Sequence, residues 1–297
     1  MKQYSDTLII ITGASSGLGK DAIRRLLTYM YKTYPDNLAK PTIIGISRRK
    51  VTYEELKIAE NDDNVRNIPL YFDEDTCNQN FHSFQCDLAL PEKIEETFNQ
   101  IDEKFNNKKI SILYNCAGFS RSVALLNLHK PNSRLGGNEP DRSFKNAVEA
   151  FNQQYQINLL ATALCCRLAV DRMDHSFPGY LINVAAMSGH RVSPMSGLHW
   201  DSTVKFGVTA TTEGLRKEMR IYNSAIRVGQ ISPGFINTEL YENFTHQPSP
   251  EFWVMWEKMK KINLMPEDVT NAFMMMILAD GRCQYGDIKI LPTYQEV

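Results

Sequence analysis

The sequence has almost no excess of charge of either sign. Its 33 Lys and Arg stand against 34 Asp and Glu, a net charge of −1, so no basic field gathers nucleic acid or an anionic membrane surface. It also lacks a long apolar run: the longest candidate, residues 273–279, falls well short of the roughly 20 residues of a membrane span, and reads as one short helix. The opening Met1-Lys2-Gln3-Tyr4-Ser5-Asp6 runs straight into an apolar stretch, with an acid before it and no cleavage site behind it, which does not match a signal peptide. Among the six cysteines (Cys77, Cys86, Cys116, Cys165, Cys166 and Cys283) there is no C-x-x-C pair. The expectation is a reduced, cytoplasmic protein with buried thiols and no metal site. No internal repeat or linker divides the chain, and 297 residues can bury one large core, so a single domain over 1–297 is expected.

What the sequence does contain is concentrated at its start. Ile9-Ile10-Ile11-Thr12-Gly13-Ala14-Ser15-Ser16-Gly17-Leu18-Gly19-Lys20 reads as a buried strand, a glycine-rich turn and a helix carrying Ile23, Leu26 and Leu27 on its apolar face. These are the parts of a dinucleotide cradle. Gly13 permits the tight exit from the strand, Gly17 lets the backbone approach a pyrophosphate, and Gly19 lets the helix pack against the sheet. The free N–H groups at the helix start face the phosphate charge. A plain strand-to-helix turn would use the same glycines, so the weight falls on the rest of the chain.

That remainder alternates. Strands are expected at 41–49, 81–86, 110–114, 180–184, 226–231 and 288–290. Helices are expected from Pro91, over about 147–173, over about 202–220 and from Pro266. The pattern is α/β, a Rossmann-type doubly wound parallel sheet flanked by helices. Residues 61–80, acidic and Asn-rich, read as a surface insertion with partial order, and 131–141 as a loop. Residues 241–261, with Phe252, Trp253, Met255 and Trp256, lie where a substrate lid would, although a core helix would use the same aromatics. The wide apolar face of 147–173 fits either deep burial or a subunit contact.

Taken together, Thr12 to Gly19, Cys86-Asp87-Leu88, Asn115-Cys116-Ala117-Gly118, Asn158, Lys205 and Ser232-Pro233-Gly234 resemble the classical short-chain dehydrogenase/reductase family, over nearly the whole chain. Met187-Ser188-Gly189-His190-Arg191-Val192, Thr212-Glu213-Gly214-Leu215-Arg216 and Gly286-Asp287-Ile288 are most similar to its farnesol- and ketosteroid-reducing carbonyl reductases. The resemblance implies an oxidoreductase acting on a small apolar carbonyl or alcohol, as a homodimer or homotetramer. It also implies a cofactor site built from Gly13, Ser15, Ser16, Gly17, Leu18 and Gly19, with Asp87 and Leu88 at the adenine. Asn115, Ala117 and Gly118 would line the adenine-ribose side. Pro233, Gly234, Ile236 and Thr238 would hold the nicotinamide, with Lys205 on its ribose. The second strand ends in Ser47-Arg48-Arg49 rather than in an acid. Two guanidinium groups suit a 2′-phosphate, so NADP(H) is expected, although arginines at a strand end can also be a solvated rim.

At the catalytic positions the chain departs from the family. Asn158 and Lys205 are present, but the family's serine position is Ala186 and its tyrosine position, four residues before Lys205, is Asp201. Asp201 should lie in the first turn of its helix, where helix dipole and Lys205 favour the carboxylate and work against a raised pKa unless burial overcomes them. An ionised carboxylate has no proton to donate and repels the oxyanion formed by hydride transfer. Impaired catalysis is therefore expected, or a non-catalytic NADP(H)-binding sensor, scaffold or partner subunit. A first-turn acid paired with Lys205 would explain Asp201 without chemistry. Other routes are His199 acting as the acid with Asp201 orienting it, and Ser188 or Ser193 standing in for the serine.

Overall fold

The computed structural model describes residues 1–34, 38–57, 72–123, 125, 144–193, 197–242 and 257–294. Its strands are β1 (Leu8–Thr12), β2 (Thr42–Ser47), β3 (Phe81–Gln85), β4 (Ile110–Asn115), β5 (Tyr180–Val184), β6 (Arg227–Pro233) and β7 (Asp287–Ile290). All pair in parallel, in the order β3-β2-β1-β4-β5-β6-β7. The longer helices are α1 (Gly17–Thr33), α4 (Pro91–Lys104), α5 (Phe144–Gln154), α6 (Ala161–Val170), α7 (His199–Ile221) and α9 (Pro266–Leu278). Between them lie the short α2 (Tyr53–Leu56), α3 (Glu74–Asn80) and α8 (Glu239–Glu242).

β1 explains why the sheet is covered on both faces. All five of its residues are buried, as a central parallel strand requires, and alternation sends them to two cores. Ile9 and Ile11 pack with Ile23, Leu26 and Leu27 of α1 and Phe273 of α9. Leu8 and Ile10 pack with Phe98 of α4 and Cys165 of α6. Burying each such isoleucine or leucine is worth about 1.5–3 kcal/mol. α4 shows the matching helical period: Pro91 occupies its first turn, and Ile94, Phe98 and Ile101 are buried at i, i+4 and i+7.

The helix expected over 147–173 is α5 and α6 joined through a π-helical turn at Tyr155–Leu160. Ala161, Cys165, Cys166 and Ala169 are buried, whereas Phe144 on α5 is 85% exposed. Pro233 closes β6, pairing with Ile290; a proline is tolerated at a strand end because it needs no ladder N–H there. The last seven residues of the expected 61–80 insertion form α3, capped by Asp73 at Thr76 N (2.7 Å) with Cys77 buried against the α1 side of the sheet. That part is ordered packing, since an acidic N-cap and one inward thiol suffice to hold a short helix. Residues 58–71, the loop at 131–141 and most of the lid segment, with Phe252, Trp253, Met255 and Trp256, lie outside the described residues. No helix among the described residues is long and apolar enough to cross a membrane.

Candidate active site

The strand order reverses between β1 and β4, and a cleft of about 720 Å³ opens at the carboxyl ends of the central strands. That is where ligands bind in open α/β sheets. Gly13 (φ +70°) and Gly17 (φ +51°) hold the turn after β1 in the left-handed region. The turn is pressed against the chain leaving β4: a Cβ on Gly13 would lie 2.8 Å from Ala117 Cα. Ala117 N–H donates to Thr12 Oγ1 (3.2 Å) and the Cys116 thiol to Thr12 O (2.8 Å). Gly13, Ser15, Ser16, Gly17 and Leu18 line the cleft; Gly19 lies behind it, where a Cβ would run into the Gly13 carbonyl. α1 begins with no acid in its first turn and no side-chain cap from Ser16. Its first N–H groups thus lack intrahelical acceptors at the positive end of a helix dipole, which is an anion site.

One arm of the cleft runs to the end of β2. Ser47 Oγ donates to Arg49 O (2.7 Å) and fixes a turn that leaves Arg48 and Arg49 exposed at the rim. Arg49 Nη2 lies 3.5 Å from both Ser15 Oγ and Glu239 Oε2. With side chains 62% and 55% exposed, this ion pair is weak, and a phosphate could take it over. Asp87 and Leu88 form the adjoining wall, where Asp87 Oδ1 accepts from Ala89 N–H (3.0 Å). Ala117 and Gly118 line the floor. Asn115 is not brought to the cleft; its amide is buried, donating to Thr162 O (3.3 Å) and Asn183 Oδ1 (3.0 Å) and so tying β4 to α6 and β5.

The other arm ends at β5 and the start of α7. Ala186, Ser188, Asp201 and Lys205 line it together, faced by Pro233, Gly234, Ile236 and Thr238. The 233–238 loop is anchored by Gly234 N–H to Ile290 O (2.7 Å), and Thr238 reaches over Gly17. Lys205 Nζ donates to Val184 O (3.1 Å). Ser188 Oγ donates to Asp201 Oδ2 (3.2 Å), the carboxylate's one hydrogen-bond partner among the described residues. At Asp201 burial overcomes the helix dipole and Lys205, the exception the sequence left open. Desolvation is the largest influence and raises the pKa, with Lys205 and Ser188 opposing. Desolvation lowers the Lys205 pKa, opposed by Asp201. No direct ion pair joins the two, because Lys205 turns to the Val184 carbonyl and Asp201 to Ser188.

Asn158 also lies outside the lining. Its Oδ1 accepts from Phe119 N–H (2.8 Å) and its Nδ2 donates to Phe119 O (2.7 Å), so both amide atoms hold the loop after β4 from the π-helical turn. His199 and Ser193 do not line the cleft either. Sequence reasoning missed Ile157 and Leu198, which narrow the reacting arm together with Phe119 and Ser120, and Glu239, which closes the rim. They stand on loops, helix ends and the π-helical turn, with no motif to mark them.

A model described as short chain dehydrogenase matches residues 54–249. The chain belongs to the short-chain dehydrogenase family. The human dehydrogenase/reductase SDR family member 11 is 29% identical, covering 99% of this chain and 97% of that protein. Farnesol dehydrogenase of Aedes aegypti is 25% identical, covering 99% and 98%. Among solved structures, the closed form of a serine dehydrogenase complexed with NADP+ aligns with a TM-score of 0.67 at 20% identity, over 98% and 97% of the two chains. A Burkholderia cenocepacia short chain dehydrogenase in complex with NADP gives 0.67 at 15% identity, over 98% of each. Those likenesses show the fold, a Rossmann-type sheet. The family binds a nicotinamide cofactor, and the uncapped helix start, the close-packed Gly13 turn and the open rim of this cleft fit such a group.

Proposed function

We propose that this cleft binds NADP(H) and that carbonyl–alcohol interconversion in it is strongly slowed. The observation that carries this is the reacting arm itself, where a methyl group (Ala186) and a carboxylate (Asp201) line the wall at the family's serine and tyrosine positions. Bound nicotinamide would supply or accept hydride. The chain's own residues would do the rest. The α1 start would hold the pyrophosphate, Arg48 and Arg49 the 2′-phosphate, and Lys205 the nicotinamide ribose. The 233–238 loop would fix the ring, while Asn158 acts at one remove by holding Phe119. Asp87, Leu88, Ala117 and Gly118 would bound the adenosine half, with Asn115 setting the depth of its floor from below.

Reduction of a ketone needs a donor at the developing oxyanion. Lacking a positioned general acid slows such a step by about 10²- to 10⁴-fold, and lacking an oxyanion donor by about 10²- to 10³-fold; the two losses do not simply multiply. A substrate of the small apolar type that farnesol dehydrogenase is named for would meet the cleft walls well and the chemistry badly. NADPH consumption with apolar ketones and aldehydes, measured on this protein beside an Ala186→Ser/Asp201→Tyr double variant, tests the reading. The double variant should be at least about 10²-fold faster, and equal rates would overturn it. NADPH binding without any turnover by the unmodified chain would favour the sensor or scaffold role. We further propose a homodimer or homotetramer, in which Phe144, Tyr155 and Phe206, exposed on α5, its π-helical turn and α7, would be covered; light scattering would read the mass.

A further inference from the structure

The same wall that suits a carbonyl poorly suits a cation. Asp201 takes one hydrogen bond, at Oδ2 from Ser188, and Oδ1 receives none from the described residues, although a carboxylate can accept about four. Asp201 lines the cleft, beside Ala186, which offers nothing polar. Lys205, four residues on, spends its ammonium on Val184 O (3.1 Å). Arg48, Arg49, Asp87 and Glu239 line the far arm. Among the described residues the reacting arm therefore holds one anion and one cation, and the anion has the open oxygen. A desolvated carboxylate in that state gains most from a ligand that brings both a positive charge and an N–H donor.

We propose that the cleft reduces a carbon–nitrogen double bond, taking a protonated imine with an apolar body, and that Asp201 is its counter-ion. This rests on the cofactor reading above and changes the substrate. A protonated imine carries its proton in before the chemical step, so the missing tyrosine and serine are not needed. Hydride from the dihydronicotinamide adds to the imine carbon, and the C=N electron pair moves to nitrogen as a lone pair. The N–H bonds stay intact, the product is a neutral amine, and the positive charge passes to the oxidised nicotinamide. No oxyanion forms for the carboxylate to repel. Asp201, with Ser188 fixing Oδ2, would orient the N–H toward Oδ1 and hold the carbon at the ring. The apolar neighbours Phe119, Ile157 and Leu198 would take the substrate body.

The test uses the full chain, dihydroisoquinoline as the cyclic imine, tetralone as the ketone of the same shape, and the Asp201→Asn variant. NADPH affinity is measured first by calorimetry; if neither chain binds, the cofactor reading fails and takes this proposal with it. With binding in hand, the unmodified chain should turn over the imine at least about 10²-fold faster than the ketone. Asp201→Asn should lower imine turnover by about 10- to 100-fold while NADPH affinity holds. Calorimetry of the amine product, tetrahydroisoquinoline, on the NADP+-saturated chains gives a second readout, and its affinity should fall at least about tenfold in Asp201→Asn. Imine turnover should also fall in acid as Asp201 gains its proton. A protonated Asp201 donating to a ketone would instead make turnover rise in acid. NADPH binding with no imine turnover, an imine rate no higher than the ketone rate, or an Asp201→Asn variant that reduces the imine and binds the amine undiminished would each sink the proposal and leave the cofactor site standing.

Discussion

Two Gly→Ala substitutions should move this protein in opposite directions. At Gly13 the backbone sits at φ +70°, which costs an alanine about 1–2 kcal/mol. The new Cβ would stand 2.8 Å from Ala117 Cα and 2.9 Å from Ala117 N. Those are backbone atoms, held by the Ala117 N–H bond to Thr12, so relief requires moving β1 away from β4; overpacking of that kind adds about 1–3 kcal/mol. The sum is roughly 2–5 kcal/mol. With an unfolding entropy of about 2.1 cal/mol/K per residue over 297 residues, each kcal/mol is about 1.6 °C, so Tm should fall by about 3–8 °C. Gly214, inside α7 (His199–Ile221), has no atom within 4 Å of where its Cβ would go. Alanine there should raise stability by about 0.5–1 kcal/mol, or about 1 °C by the same conversion. Thermal unfolding of the three proteins, with and without NADPH, reads both signs. Gly13→Ala should also lose most of the NADPH-induced rise in Tm, because the turn that carries the phosphate would be displaced. An unchanged Tm in Gly13→Ala would refute the packing of the glycine turn described here.

Other outcomes follow from the same geometry. Arg49→Ala should weaken NADPH by about tenfold and leave NADH nearly unchanged, measured as the ratio of the two dissociation constants; equal loss for both would assign Arg49 to the solvated rim. Burial holds the Asp201 proton more tightly in the folded chain than in the unfolded one. That stabilisation is complete below the unfolded aspartate value of about 3.9 and is lost as pH rises through the folded value. Against Asp201→Asn, the unmodified chain should therefore lose stability over that window in denaturant titrations, and a flat difference would mean that Ser188 and Lys205 cancel the burial. All six cysteines are free, and burial pushes Cys77 up to about 11 and Cys166 up to about 12. A thiol reagent at pH 8 should leave both unmodified until the protein unfolds.

The sheet was legible because its signals are local. Ile9-Ile10-Ile11 ahead of three glycines, or Pro91 ahead of Ile94, Phe98 and Ile101, describe an element and its buried face without reference to anything distant. The cofactor arm was legible for the same reason, since Gly13, Gly17, Asp87 and the 233–238 loop sit at strand ends in the order the fold needs. Direction of side chains was not. Asn115 and Asn158 read as cleft residues, but Asn115 turns inward to Thr162 and Asn183, and Asn158 clasps the Phe119 backbone across 39 residues. Whether burial would overcome the dipole and Lys205 at Asp201 was open, because those two can be read from spacing, whereas desolvation depends on walls brought from β5, α7 and the loop after β4. Ser188 is two residues from the family's serine position, and only the folded turn brings it to Asp201.

The most direct measurement is calorimetric titration of the unmodified full-length chain with NADPH and then with NADH. One NADPH per chain, bound more tightly than NADH, is the expected result and would establish a working cofactor cleft beneath the altered catalytic wall. Absence of binding by either nucleotide would contradict it, and the glycine turn, the open start of α1 and the arginine rim would then need another ligand.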